Sequence, residues 1–144
     1  MGVPGSNPVP FVPASGEFYV DSVTSNGATV ANIIDVDQGF QVNGRVQLPN
    51  WLSGNGQVCI YAEELGGPIN QQLGCVQVPI NPTPTDPSGT TTYNWTVSFP
   101  GSPTVLPDPQ AGDSQLYRLG AVFTYGVQLT DIQSFVDMGM FLID

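Results

Sequence analysis

The chain has 144 residues, which is enough for one domain with a sizeable core and too few for two. Its 12 acidic residues stand against two arginines, without lysine or histidine, so the net charge is −10. A protein that binds a polyanion must supply cationic side chains that replace the counterions released on binding. Two arginines are too few for this, so nucleic acid and anionic membrane surfaces are excluded as partners. The acidity is typical of solubility through self-repulsion, or of docking onto a basic or calcium-rich surface.

The N-terminal segment 1–16 is rich in proline and glycine and cannot form a helix. It is either a flexible tail or an interaction arm that lies on a neighbouring subunit and buries Val9, Phe11 and Val12. It lacks the basic start and the apolar block of a secretory signal, and no apolar run approaches the ~18 residues of a membrane span. We expect residues 17–144 to form a single domain.

Strand signals begin directly after this segment. Residues 17–25 and 28–36 flank Asn26-Gly27, a strong hairpin signal when it joins two extended segments. In 39–49 apolar and polar residues alternate without a break, so one face of a strand is buried and the other is wet. The apolar parity holds Phe40, Val42, Val46 and Leu48.

The second half of the chain follows the same alternation. Residues 90–99 have an apolar parity of Tyr93, Trp95, Val97 and Phe99, and residues 114–127 have one of Tyr117, Leu119, Ala121, Phe123 and Tyr125. In 129–139 the apolar residues recur at i, i+3, i+6 and i+7, which fits a helical turn or a kinked final strand, and we favour the strand. The proline-rich segments 79–89 and 100–113 are loops.

About eight short strands separated by turn signals, without a helical repeat, predict an all-β chain, an antiparallel β-sandwich of about 7–9 strands. The long proline-rich loops favour Greek-key connections. In strand count and alternation over roughly residues 17–144, the pattern resembles immunoglobulin-like or fibronectin-like sandwiches. The resemblance implies an architecture and no particular function, because many functions share this fold.

Cys59 and Cys75 lie in two further strands, 57–65 and 72–80. If these strands form a hairpin centred on Gly67, residues whose numbers sum to 134 face each other, and the two cysteines do so. We expect a disulfide, which suits an oxidising compartment; the alternative is two free thiols packed as small apolar side chains. The pair is too close in sequence for the usual bridge between the sheets of an immunoglobulin domain.

The inventory of reactive side chains is poor. The lack of histidine and lysine excludes a Ser-His-Asp triad and a cysteine activated by histidine. Glu63 and Glu64 are adjacent on a strand, so they point to opposite sides and cannot pair across a cleft. We therefore expect a protein that is not an enzyme and needs no cofactor. The metal candidates are carboxylates that could bind calcium, although turns also favour aspartate for local hydrogen bonds: Asp35, Asp37, Asp108 and Asp113.

Uncharged amides and hydroxyls cover the predicted wet faces, and no lysine guards a sheet edge. Such surfaces suit lateral association. We therefore predict a non-catalytic structural or interaction module, a subunit of a cell-surface, appendage or virus-like assembly that forms homo-oligomers or larger arrays. The alternative is a carbohydrate-binding module, with or without calcium, in which Trp51 and Tyr61 stack on sugar rings. We favour an extracellular or surface-associated location, with a cytoplasmic one as the alternative.

Overall fold

The computed structural model describes residues 9–10, 16–25, 28–30, 33–35, 38–65, 70–82, 89–100, 115–126 and 132–143. These residues form ten strands and no helix, and so none that could cross a membrane. In chain order the strands are β1 (Val9–Pro10), β2 (Glu17–Ser25), β3 (Ala28–Val30), β4 (Ile33–Ile34), β5 (Phe40–Pro49), β6 (Gly54–Glu64), β7 (Asn70–Ile80), β8 (Thr90–Phe99), β9 (Gln115–Tyr125) and β10 (Ile132–Ile143).

The strands form two five-stranded sheets that enclose the core between them. Sheet 1 has the order β1-β2-β5-β8, with β3 also paired to β2, and sheet 2 has the order β4-β10-β9-β6-β7. The predicted β-sandwich is therefore confirmed. The described pairs are antiparallel with one exception, since β4 runs parallel to β10 and places Ile33 opposite Leu142. The end strands β7 and β8 lie next to each other on one side of the sandwich.

The predicted apolar parities supply the core. Val42, Val46 and Leu48 of β5 are fully buried, as are the inward residues of β9 except Tyr125, which is partly buried. The Trp95 ring packs against Phe18 with the ring centroids 5.6 Å apart. Because each large apolar side chain contributes about 1.5–3 kcal/mol when it is buried, this layer is the main source of stability.

Bulges in β2 and β10 change which residues face the core. In β2 the register with β5 shifts between Val20 and Ser22, so the strand gains one residue at this point. In β10 the register shifts between Asp137 and Gly139, and Gly139 has a φ of 89°, a conformation that glycine readily adopts. The second bulge explains the irregular apolar spacing of 129–139: the segment contains a kinked strand, as we favoured.

The hairpin formed by β6 and β7 carries the predicted cysteine pair. Cys59 lies directly opposite Cys75, and a disulfide joins them with a Cα–Cα distance of 4.0 Å. A register shift after Ile60 then places Tyr61 opposite Gln72, so the sum of 134 holds only on the cysteine side of this bulge. The bridge links two neighbouring strands of sheet 2 and does not connect the two sheets.

Candidate functional site

The outer face of sheet 1 is polar, and its side chains hydrogen-bond to one another. Asn43 Nδ2 donates to Ser22 Oγ at 3.3 Å and to Thr24 Oγ1 at 3.2 Å, while Thr96 Oγ1 donates to Asn43 Oδ1 at 3.0 Å. Such cross-strand ladders stabilise the sheet itself. Donors and acceptors that are already paired in this way offer less to a ligand.

Arg45, one of the two basic residues, belongs to the same ladder. Its guanidinium donates to both carboxylate oxygens of Asp21, at 2.9 and 3.0 Å, and lies 4.5 Å from the centroid of the Tyr19 ring. The hydrogen bond to Asp21 raises the pKa of Arg45 above its ordinary value. Asp21 occupies the bulge in β2, which leaves it without a Cα partner on β5. The arginine therefore clamps β2 to β5.

The outer face of sheet 2 is different because it exposes large apolar side chains. Among the described residues, the exposed large apolar side chains other than Trp51 all belong to this sheet or to its β6–β7 hairpin. They are Ile33 (56% exposed), Leu65 (41%), Leu116 (42%) and Phe135 (51%). Single exposed apolar residues are normal on any protein, but a concentration on one face is typical of an interaction surface. This asymmetry makes the outer face of sheet 2 the candidate site.

A hollow of about 290 Å³ lies on this face over β6, β9 and β10. Its lining includes Tyr61, Glu63, Arg118, Gly120, Val122 and Phe135. Tyr61 is the Cα partner of Gly120, and Val122 is the Cα partner of Phe135. A hollow of this volume is at the small end of ligand sites, which span about 300–1,000 Å³.

Gly120 sets the shape of the hollow. A Cβ atom at this position would lie 2.6 Å from Phe135 Cε2 and 2.9 Å from Phe135 Cζ, so the phenyl ring rests where a side chain would otherwise stand. On the other side of Gly120, the Tyr61 hydroxyl donates to Gln72 Oε1 at 3.0 Å, which fixes its direction. The result is an aromatic residue on each side of a residue without a side chain.

Charged side chains border the hollow along one side. Arg118 is the Cα partner of Glu63, and its Nε lies 3.9 Å from Asp137 Oδ2. About half of each side chain of the Arg118–Asp137 pair is exposed. An exposed pair at this distance contributes little to stability, so the guanidinium and the carboxylates can exchange this contact for hydrogen bonds to a ligand.

Tyr117 lies on the inner side of β9 and is fully buried. Burial raises the pKa of Tyr117 to about 12, and the carboxylate of Glu64 contributes in the same direction as a neighbouring charge and a hydrogen-bond partner. The phenol is therefore neutral at physiological pH. A buried neutral phenol on the core side serves packing rather than proton transfer to a ligand.

The structure separates the two predicted sugar-stacking residues. Tyr61 lines the hollow. Trp51 is 68% exposed in the turn between β5 and β6, at the opposite end of β6, and does not belong to the lining. The two rings therefore do not form one platform.

The other predicted site residues lie elsewhere. Asp35 is exposed after β4, and Asp37, Asp108 and Asp113 lie outside the described residues. Within the part of the chain that the structure describes, there is no group of three or more His, Cys, Asp or Glu that could hold a metal ion. Val9 of the predicted arm pairs with Phe18 of β2 in its own chain, and Phe11 and Val12 lie outside the described residues.

Of the residues that line the hollow, only Tyr61 was predicted as a site residue; Arg118, Gly120 and Phe135 are the most important of the others. They come from β9 and β10, and only the strand order brings them next to Tyr61 of β6. A signal was nevertheless present. Phe135 stands beside Val136 in a strand, so one of these two adjacent apolar side chains had to face outward.

Comparisons with known proteins address the fold alone. No family model matches the chain, and no curated protein matches it in sequence. Among solved structures, it is similar to the C-terminal domain of wzt, with a TM-score of 0.54 and 11% sequence identity. The similarity covers 98% of this chain and 79% of that chain. At this level of identity, the two chains share an architecture, and the likeness carries no statement about ligands.

Proposed function

We propose that the protein is a non-catalytic binding module that holds a neutral glycan in the hollow on the outer face of sheet 2. The observation that supports this proposal is the placement of Tyr61 and Phe135 on either side of Gly120, beside Arg118 and Glu63. The chain also lacks histidine and lysine, the residues that most often transfer protons near neutral pH.

Sugar rings combine an apolar face of C–H groups with an equatorial rim of hydroxyls. An aromatic side chain can pack against the apolar face, as Tyr61 and Phe135 are placed to do. The guanidinium of Arg118 can donate to the hydroxyls, and the carboxylate of Glu63 can accept from them, in charge-assisted hydrogen bonds. The lining therefore offers both kinds of contact within one small hollow.

Charge selects the class of glycan. The lining of the hollow holds the carboxylate of Glu63 and the guanidinium of Arg118, and Arg118 is itself paired with the carboxylate of Asp137. The whole chain has a net charge of −10. A sugar that carries a carboxylate or a sulfate would be repelled at long range and at the site. A neutral glycan avoids this repulsion.

A glycan array with multivalent display tests the proposal, because a shallow site binds a single glycan with a Kd of roughly 10 μM to 1 mM. We expect signals on neutral glycans that fall at least tenfold in Phe135→Ala and Gly120→Ala. Trp51→Ala, a change of an exposed aromatic residue outside the hollow, is the matched control and keeps the signal. The absence of any neutral ligand, or equal binding by the hollow variants, contradicts the proposal.

The same array run with a chelator separates the calcium-assisted form of this function. Loss of binding on chelation would indicate that a calcium ion takes part, with the predicted carboxylates as its ligands: Asp35, Asp37, Asp108 and Asp113. We expect binding to persist, because the polar groups that border the hollow include a guanidinium, which repels a cation. The disulfide supports a further part of the proposal, that the module works outside the cytoplasm.

A second candidate function is that of a subunit in a larger protein assembly. The observation that favours it is the side of the sandwich formed by β7 and β8, where two sheet edges lie next to each other without a charged residue in either strand. Light scattering after size-exclusion chromatography tests it, with and without residues 1–16. A monomer at every concentration, for both chains, contradicts this candidate.

A further inference from the structure

Charge is distributed unevenly over the long strands. Every strand of nine or more residues carries at least one Asp, Glu or Arg, except β7 and β8. These two strands end sheet 2 and sheet 1 on the same side of the sandwich. In a chain of net charge −10, another copy can approach these two long strands without meeting like charges within them.

Among the described residues, β8 itself carries no proline, lysine or bulge of the kind that protects many edge strands. It is ten residues long, contains neither proline nor glycine, and pairs with β5 from Phe99 to Thr90 without a register shift. Natural edge strands are usually short, bulged, or guarded by lysine or proline, because a long regular edge is a template for a further strand. β7 differs, since it has a bulge near Gly74 and a proline at position 79.

The side chains of β8 match those of a second β8. Its outer row is polar, uncharged and exposed: Thr92, Asn94, Thr96 and Ser98. Its inner row, Trp95, Val97 and Phe99, is buried in the core. Residues opposite each other in an antiparallel pair share a face, so two copies of β8 would set hydroxyl against hydroxyl or amide outside and apolar against apolar inside.

A groove of about 540 Å³ runs beside β8, between it and β7. Leu73 and Val76 on one side and Phe99 on the other give it apolar walls. A Cβ at Gly74 would lie 2.9 Å from Phe99 Cε1, so the two sheets nearly touch at the bottom of the groove. A neighbouring chain on the β8 edge would cover this apolar surface.

We propose that β8 pairs in an antiparallel manner with the β8 of a second copy of this chain, around a twofold axis, and so joins two copies of sheet 1 into one continuous sheet. The proposal rests on the second candidate function and names its partner. A single pair of strands buries less area than a standard interface, so the dimer should dissociate in roughly the micromolar range.

Sedimentation velocity of the full chain, from low micromolar to near-millimolar concentration, tests the proposal with two double variants. Thr92→Lys/Ser98→Lys places cations on the free edge, where like charges meet across the twofold axis. Gln47→Lys/Gln41→Lys is the matched control, because these residues are the Cα partners of Thr92 and Ser98 one strand further in. We expect wild type and control to dimerise and the edge variant to stay monomeric at least tenfold above the wild-type midpoint.

Hydrogen exchange gives an independent readout. In the monomer alternate amides of β8 are bonded to β5, and on dimerisation the remaining amides should gain protection. Dimers that persist in the edge variant, without new protection in β8, would overturn the β8 pairing and leave the assembly function standing on another surface. A wild type that is monomeric throughout would overturn both, while the glycan proposal would still rest on the array.

Discussion

A pair of glycine-to-alanine substitutions measures how differently the two faces of the molecule are packed. At Gly44, on the inner side of β5, a Cβ would lie 2.2 Å from the carbonyl oxygen of Tyr19 and 2.3 Å from Trp95 Cζ2. The first is backbone and the second is a ring with 4% exposure, so neither can move aside cheaply. At Gly120 the close contacts are to the exposed Phe135 ring, and the nearest backbone atom, the Val136 oxygen, is 3.6 Å away.

Both substitutions gain about 0.5–1 kcal/mol because alanine restricts the unfolded chain more than glycine does. For Gly120→Ala this gain offsets the cost of turning the Phe135 ring into solvent, so the free energy of unfolding should change by less than about 1 kcal/mol. For Gly44→Ala the clash exceeds ordinary overpacking, and the loss should be about 3 kcal/mol or more. Urea unfolding followed by tryptophan fluorescence measures both values. Equal losses at the two positions would refute this reasoning.

Three further results are expected. Tyr117→Phe should flatten the alkaline stability profile, since burial raises the pKa of Tyr117 to about 12 in the folded chain, above the ordinary tyrosine value of about 10. The neutral phenol stabilises the fold fully below pH ~10, and at most about 2–3 kcal/mol is lost as the pH rises to ~12, which urea titrations across this range measure. Cys59→Ala/Cys75→Ala should lower the free energy of unfolding by about 3 kcal/mol, because the bridge closes a loop with a sequence separation of 16, and an unchanged midpoint under oxidising conditions would contradict this. Trp51→Ala should change the free energy of unfolding, measured by urea titration, by less than about 0.5 kcal/mol, because the ring is 68% exposed.

The alternation of side chains predicts the sandwich because, in a strand with one buried face, every second residue is apolar. β5 and β8 show this alternation without interruption, and their ten pairs of Cα partners follow one register without a shift. Where a bulge adds a residue, the alternation is interrupted, as in β10 at Gly139. There the sequence allows a helical turn as well, and only packing decides between them.

The cysteine pairing was predictable for a local reason and the hollow was not. A hairpin has a centre in the sequence, so simple arithmetic places Cys59 opposite Cys75. The hollow joins β6 to β9 and β10, which lie more than fifty residues further along the chain. Their adjacency is set by the order of strands in sheet 2, which no local pattern encodes. Trp51 and Tyr61 are only ten residues apart, but Trp51 lies in the turn before β6 and Tyr61 lies towards the far end of that strand, because an extended chain advances about 3.3 Å per residue.

Amide chemical-shift mapping tests most directly whether the outer face of sheet 2 is the binding surface. The wild-type chain, labelled with ¹⁵N, is titrated with the neutral oligosaccharide that gives the strongest array signal. Shifts concentrated at Tyr61, Glu63, Arg118, Gly120 and Phe135, with the ladder of sheet 1 unchanged, are the predicted result. Shifts that cluster on sheet 1 or around Trp51, with the hollow silent, would contradict the assignment of the site.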